Sequence, residues 1–216
     1  MDIKYLGHSC FFIKGKEAKL VMDPFDPKFT GLKFSKIEAD IVTVSHQHKD
    51  HNNISAVSGS PLVIEWPGQY EKKGMRVYGF RSYHDKKQGA ERGENTIFRI
   101  EEDLSILHCG DLGYIPDDKF IDEIGEVDVL MVPVGGDSSI EPADAVELIK
   151  KIKPSIVIPM HFNRPELNQE IFGKKFPVSE FLKIIGSENI ASVQKLTVKK
   201  EELGEEMKVV VMGISN

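Results

Sequence analysis

"SHQHKDH", Ser45 to His51, is the stretch whose reading decides the fold. It sets three of the chain's seven histidines and an aspartate directly behind the apolar run "DIVTV". In extended backbone, residues two apart project to the same side, so His46, His48 and Asp50 leave the strand together. A turn beginning at Lys49 swings His51 back toward them. Imidazoles and a carboxylate that converge from a strand end suit a borderline divalent metal, with zinc first and manganese or iron as the other candidates.

The same theme recurs outward along the chain. Asp23 ends "KLVMD", His84 ends "VYGFRSYH", Asp111 ends "LSILHCGD" and His161 ends "SIVIPMH". Each donor follows an apolar, β-branched run, and strand ends that share a sheet edge are where open α/β folds place their sites. Ten runs read as strands: "CFFIKG", "KLVMD", "IVTVS", "LVIEW", "MRVYGF", "TIFRIEE", "LSILHC", "VDVLMVPV", "SIVIPM" and "KVVVMG". Helices are expected at 116–124, 142–152 and 178–185. In the second of these Pro142 occupies the first turn, and Ala145, Leu148, Ile149 and Ile152 form one apolar stripe. Strands crowd the first third and alternate with helices later. That order predicts a layered α/β protein, 1–216 forming one domain. The charged stretch "KLTVKKEELGEE", 195–206, is expected to be a solvated connector.

Composition narrows the function. With 40% hydrophobic and 29% charged residues the chain is an ordinary globular one. A net charge of -6 provides no general field for nucleic acid. No apolar run approaches the roughly 18 residues of a membrane span, and "MDIKYLGHSC" lacks a basic segment followed by an apolar one. Cys10 and Cys109 fit buried, reduced thiols rather than a disulfide framework. The expectation is a cytoplasmic protein with a small-molecule substrate, no nucleic acid and no membrane partner, its oligomeric state left open.

In order along nearly the whole chain, the motifs resemble those of the metallo-β-lactamase superfamily. Its His-x-His-x-Asp-His signature reads here as His46-Gln47-His48-Lys49-Asp50-His51, followed by the isolated His84, then Gly110-Asp111, then His161, with Asp23 in "MDP" matching its first aspartate. "YLGHSCF", "DPF", "VPVGGDSSIEPADA" and "IPMHF" are most similar to the small metal-dependent hydrolase branch related to ascorbate-6-phosphate lactonase. The resemblance implies the αββα sandwich, two mixed β-sheets flanked by helices with the site along one edge. It further implies two divalent metal ions. His46, His48 and His84 would hold one and Asp50, His51 and His161 the other, with Asp111 bridging and Asp23 accepting an imidazole N–H behind the ligands. The implied enzyme is a binuclear hydrolase whose metal-bridged hydroxide attacks a small ester, lactone, amide or phosphoester. Asp111 and Asp50 are then its catalytic carboxylates, Asp50 also relaying a proton to the leaving group. A phosphodiesterase or nuclease of the same superfamily and a non-hydrolytic metal-binding protein are the alternatives.

Substrate contacts are expected from two loops. Arg92 and Asn95, in the polar loop 85–95, are placed to hold an anionic group, because guanidinium forks onto phosphate or carboxylate. Gly136 belongs to a Gly-Gly-Asp loop that the resemblance brings near the metals. His8, in "LGHSC", reads as a hydrogen-bonded structural residue or a neighbour of the site. His108 points to the strand face opposite Asp111 and reads as core.

Overall fold

Burial alternates along the first strands and so separates two apolar layers. In a computed structural model of the chain, whose described residues are 1–215, β1 (Asp2–Gly7), β2 (Cys10–Lys14) and β3 (Lys19–Met22) form an antiparallel meander. Phe11, Ile13, Leu20 and Met22 enter an inner core, whereas Cys10 and Val21 join an outer cluster with Phe25, Leu32 and Phe172. This is the period of two expected of a sheet covered on both faces.

A short helix α1 (Pro27–Thr30) precedes β4 (Ile37–Glu38), β5 (Ile41–Thr43), β6 (Val57–Ser58) and β7 (Leu62–Ile64). Then come β8 (Gly68–Lys72), β9 (Met75–Tyr83), β10 (Glu94–Glu101) and β11 (Ser105–His108). The later part alternates: α2 (Asp118–Ile124), β12 (Val129–Pro133), α3 (Pro142–Ile152), β13 (Ile156–Met160), α4 (Gln169–Phe172) and α5 (Val178–Ile184). The strands β14 (Leu196–Thr197) and β15 (Lys208–Val209) end the series.

Two large mixed sheets result, ordered β14-β1-β2-β3-β5-β7 and β15-β13-β12-β11-β10-β9-β8, with β4 and β6 as a separate ribbon. One apolar core joins Phe11 and Ile13 of the first sheet to Val77, Phe98 and Ile106 of the second. Both faces of the parallel strands β12 and β13 are buried, because Ala145, Leu148 and Ile149 of α3 and Phe181 of α5 also pack into that core. Helices therefore lie outside two facing sheets, the αββα arrangement. Among the described residues no helix is long and apolar enough to cross a membrane.

All ten expected strands are present, although "KVVVMG" contributes only Lys208 and Val209. The helix expected at 116–124 starts at Asp118, because the Asp117 carboxylate caps it by accepting from the Phe120 N–H. The connector at 195–206 corrects the expectation: Leu196 and Thr197 pair with Ile3 and Asp2 and extend the first sheet. Unforeseen strands β1 and β8 carry charged or polar residues that dilute the apolar signal. In β1, Ile3 and Tyr5 face the core with Lys4 between them, and β8 is a polar edge strand, "GQYEK".

Candidate metal centre

The sheets meet along a seam whose backbone bonds fix the site. Thr96 N–H donates to Ser45 O at 2.8 Å and His161 N–H to His8 O at 2.9 Å. His108, fully buried, donates from Nε2 to Ser9 O at 2.8 Å and accepts from Gly110 N–H at its Nδ1. Its ring thus ties β11 to the turn between β1 and β2, one residue short of the Gly110-Asp111 pair.

On the first sheet, β5 delivers Ser45 and His46 beside Asp23, which is fully buried. Asp23 accepts from Ser45 N–H at 2.8 Å, from the Ser45 hydroxyl at 2.6 Å and from His51 Nδ1–H at 2.8 Å. The Ser45 hydroxyl has one hydrogen, already donated, so at 2.9 Å from His46 Nδ1 it accepts. One carboxylate thereby fixes two imidazoles with Nδ1 protonated, leaving the lone pair of each Nε2 for a metal. Ser45 was missed by sequence reasoning, since strand parity turns it away from His46 and gives no ligand signal.

The second sheet brings His84, Asp111 and His161 from the ends of β9, β11 and β13. Asp111 Oδ2 lies 3.2 Å from His84 Nε2 and 3.0 Å from His161 Nε2, and its Oδ1 lies 3.4 Å from His51 Nε2. Yet the Nε2 atoms of His46, His51, His84 and His161, and Oδ1 of Asp111, are buried without a hydrogen-bond partner. Buried polar atoms are normally satisfied, so converging orphans of this kind fit a cation that accepts their lone pairs. The donors form overlapping groups in which ligand atoms lie within 4.8 Å: His46, His48 and His84; His46, His51 and Asp111; and His8, Asp50, His51 and His161. His48 is exposed on the rim.

Electrostatics favour the same occupant. Burial, followed by the neighbouring His51, holds His46 well below the usual imidazole range, and burial does the same for His161 against the pull of Asp111. Both rings are neutral donors. Burial opposes the charge on Asp111, but His161 and His51 outweigh it and keep the carboxyl well below its usual range. For His51, burial is outweighed by Asp111 and Asp50, which raise it. A positive charge is stable between those carboxylates, where a metal ion would displace the proton.

His8 is part of this wall. Its ring is fully buried, Nε2 donates to Asp50 Oδ2 at 2.9 Å, and it lies 4.3 Å from the His161 ring. His8, Asp23 and His161 all have positive φ, at 57°, 45° and 55°. Such angles are uncommon outside glycine, and their clustering here marks backbone held to aim side chains.

Two glycines allow the close approach of the donor-bearing backbones. A Cβ on Gly113 would lie 2.3 Å from the His84 carbonyl carbon, and one on Gly135 would lie 2.1 Å from His161 O. Gly135→Ala is therefore expected to push the end of β13 aside, lowering stability by about 1–3 kcal/mol and metal affinity about tenfold. Thermal unfolding and metal titration check this; unchanged values in both would show that His161 does not depend on that contact.

The expected substrate residues separate. Arg92 lines a 550 Å³ cavity in front of the donors, together with His48, Asp50, His84 and Asp111. Its loop is held by the buried carboxylate of Asp85, which accepts from the N–H groups of Lys87, Gly89, Glu91 and Arg92. Asn95 is buried behind the cavity. Its Nδ2 donates to Ser82 Oγ and Cys109 O, and its Oδ1 accepts from Asp111 N–H, so the amide positions the aspartate. Gly136 turns the loop at φ 64° and lies outside the cavity lining, which Asp137 and Ser138 reach instead. Lys175, also in the lining, was not expected from "FGKKFP".

Comparison with known proteins accords with this geometry. The Beta-lactamase superfamily domain matches residues 2–161. The chain belongs to the metallo-β-lactamase superfamily. Within this superfamily it is 30% identical to the UPF0173 metal-dependent hydrolase of Thermoplasma acidophilum, over 77% of this chain and 85% of that one. It is 32% identical to the one from Pelotomaculum thermopropionicum, over 76% and 85%. A solved metallo-β-lactamase superfamily structure from Thermotoga maritima superimposes with a TM-score of 0.79 at 34% identity, covering 98% of this chain and 97% of that chain. The similarity thus falls in the small metal-dependent hydrolase branch of the superfamily.

Proposed function

We propose that the chain is a binuclear metal-dependent hydrolase acting on a small ester, lactone, amide or phosphoester. The observation that carries this reading is the convergence of buried, unpartnered Nε2 atoms from His46, His51, His84 and His161 around Asp111. His46, His48 and His84 form one triad, Asp50, His51 and His161 the other, and the Asp111 carboxylate stands between them. Zinc, the ion named for the Thermotoga maritima neighbour, is the first candidate; histidine and carboxylate donors also accept manganese or iron.

When bound, such cations would supply Lewis acidity, lowering the pKa of a water toward about 7 and polarising the scissile carbonyl or phosphoryl oxygen. The chain's own residues do the rest. Asp23 and Ser45 orient His46 and His51, while Asn95 holds the Asp111 backbone. Asp50, at the cavity edge and accepting from His8, is the carboxylate that would take the proton of the attacking water and pass it to the leaving group. The 550 Å³ cavity has the size of a small-molecule site, which favours a compact substrate over a nucleic acid strand. The net charge of -6 provides no general field for a polyanion, which fits a small-molecule substrate; a cytoplasmic setting belongs to the same proposal.

The test is elemental analysis of protein purified without chelator or histidine tag, paired with hydrolysis assays on lactones, esters and phosphodiesters. About two zinc, manganese or iron ions per chain are expected, with activity lost on chelation and restored on reloading. Reloading at a thousandfold excess over Kd should stabilise the fold by about 4 kcal/mol for each site filled, read in thermal unfolding. Failure to take up any metal would sink the reading.

A further inference from the structure

Lys175 is an unusual residue for the interior. It is 4% exposed, and its Nζ donates to Ser138 Oγ at 2.5 Å. An ammonium has three hydrogens to donate, and among the described residues no carboxylate oxygen lies within 4.0 Å of it. The carboxylates that act on it from farther off are Asp111, Asp137 and Asp50. Two of these are proposed metal ligands, so their charge is committed once cations are in place. A buried cation without a close counter-charge is costly and is normally paired.

The position of Lys175 is built, not incidental. Lys175 N–H donates to Phe172 O, Phe176 N–H to Gly135 O, and Asn163 N–H to Phe176 O. The segment is thereby stitched to the same Gly135 that abuts His161. Arg92 lines the same cavity and its charge acts on Lys175. Neither side chain has a carboxylate partner among the described residues, while the lysines and arginines nearby on the surface, such as Lys86 and Lys87, do.

We propose that Lys175 and Arg92 bind an anionic substituent of the substrate, a carboxylate or a phosphate, beside the bond that is cut, with Ser138 fixing the ammonium. The inference rests on the hydrolase reading for the word substrate, but the anion site itself does not depend on catalysis. It narrows the substrate class to esters or lactones that carry a negative group.

The experiment uses metal-loaded protein and three forms: wild type, Lys175→Met and Lys175→Arg. Calorimetry measures the affinity for inorganic phosphate and for acetate, elemental analysis checks metal content, and kcat/KM is compared for an aryl ester with and without a carboxylate or phosphate substituent. Lys175→Met should keep its metals, lose about 10 to 100-fold in affinity for one of the two anions, and lower the ratio of charged to neutral ester turnover by a similar factor. Lys175→Arg should retain most of both. A greater loss for phosphate assigns a phosphate group, and a greater loss for acetate a carboxylate. Equal anion affinity in wild type and Lys175→Met, or equal losses in the Met and Arg variants, would overturn the proposal. If no ester is cleaved but the anion affinities differ as stated, the ester reading fails and the anion site stands.

Discussion

Asp111→Ala is expected to purify with little bound metal and to lose hydrolysis by at least on the order of 10³-fold. The argument is geometric. The two oxygens of this carboxylate approach imidazoles of both triads, His84 and His161 through Oδ2 and His51 through Oδ1. Among the described residues no other carboxylate stands between all of them, since the imidazoles within 4.0 Å of Asp50 are those of His8 and His51. Without Asp111, five imidazoles are left with one acid, Asp50, to offset the two proposed dications. Asp111→Asn keeps the shape and the backbone bond to Asn95 but removes the charge, so it should fold and still lose metal. Elemental analysis alongside the hydrolysis assay reads both effects. Full activity with unchanged metal in either variant would show that the site lies elsewhere.

Asp23→Ala should damage the protein in two separable ways. It strands three buried donors, Ser45 N–H, the Ser45 hydroxyl and His51 Nδ1–H. Unsatisfied buried groups cost about 1–3 kcal/mol each, so metal-free protein should lose at least roughly 3 kcal/mol in chemical denaturation, a large share of a typical fold's stability. Independently, His51 loses its acceptor and Ser45, the acceptor for His46, loses the carboxylate that anchors it, so metal affinity should fall about 10 to 100-fold. Denaturation with and without chelator separates the effects. Wild-type stability of the metal-free variant would mean that the Asp23 network is not a structural element.

The donor set was legible in the sequence because it combines scarce residue types with a local rule. Histidine is rare here, and the parity of His46, His48 and Asp50, repeated as His or Asp after later apolar runs, needs only knowledge of how a strand alternates. The core strands were legible for the same reason. Hidden instead was everything that depends on nonlocal approach. Ser45 is an ordinary residue until Asp23 arrives from another strand, Asn95 resembles a loop residue until Asp111 N–H meets its oxygen, and Lys175 in "GKKF" looks like solvent-facing charge. β1 and β8 were invisible to apolar runs because lysine, glutamine and glutamate fill their outward positions. The pairing of Leu196 and Thr197 with β1 spans nearly the whole chain, a distance no window registers.

The seam between the sheets has a consequence for motion. The Thr96 and His161 amide hydrogens each cross from one sheet to a carbonyl of the other, on strands that are distant in sequence and flank the donor cluster. A metal ion held by residues of both sheets acts as a clasp on that seam, so these two amides should exchange with solvent as one opening unit. Loading the site would slow them together, while amides at the far ends of the same strands respond less. In this architecture the breathing of the sandwich and the occupancy of the proposed metal site would rise and fall together.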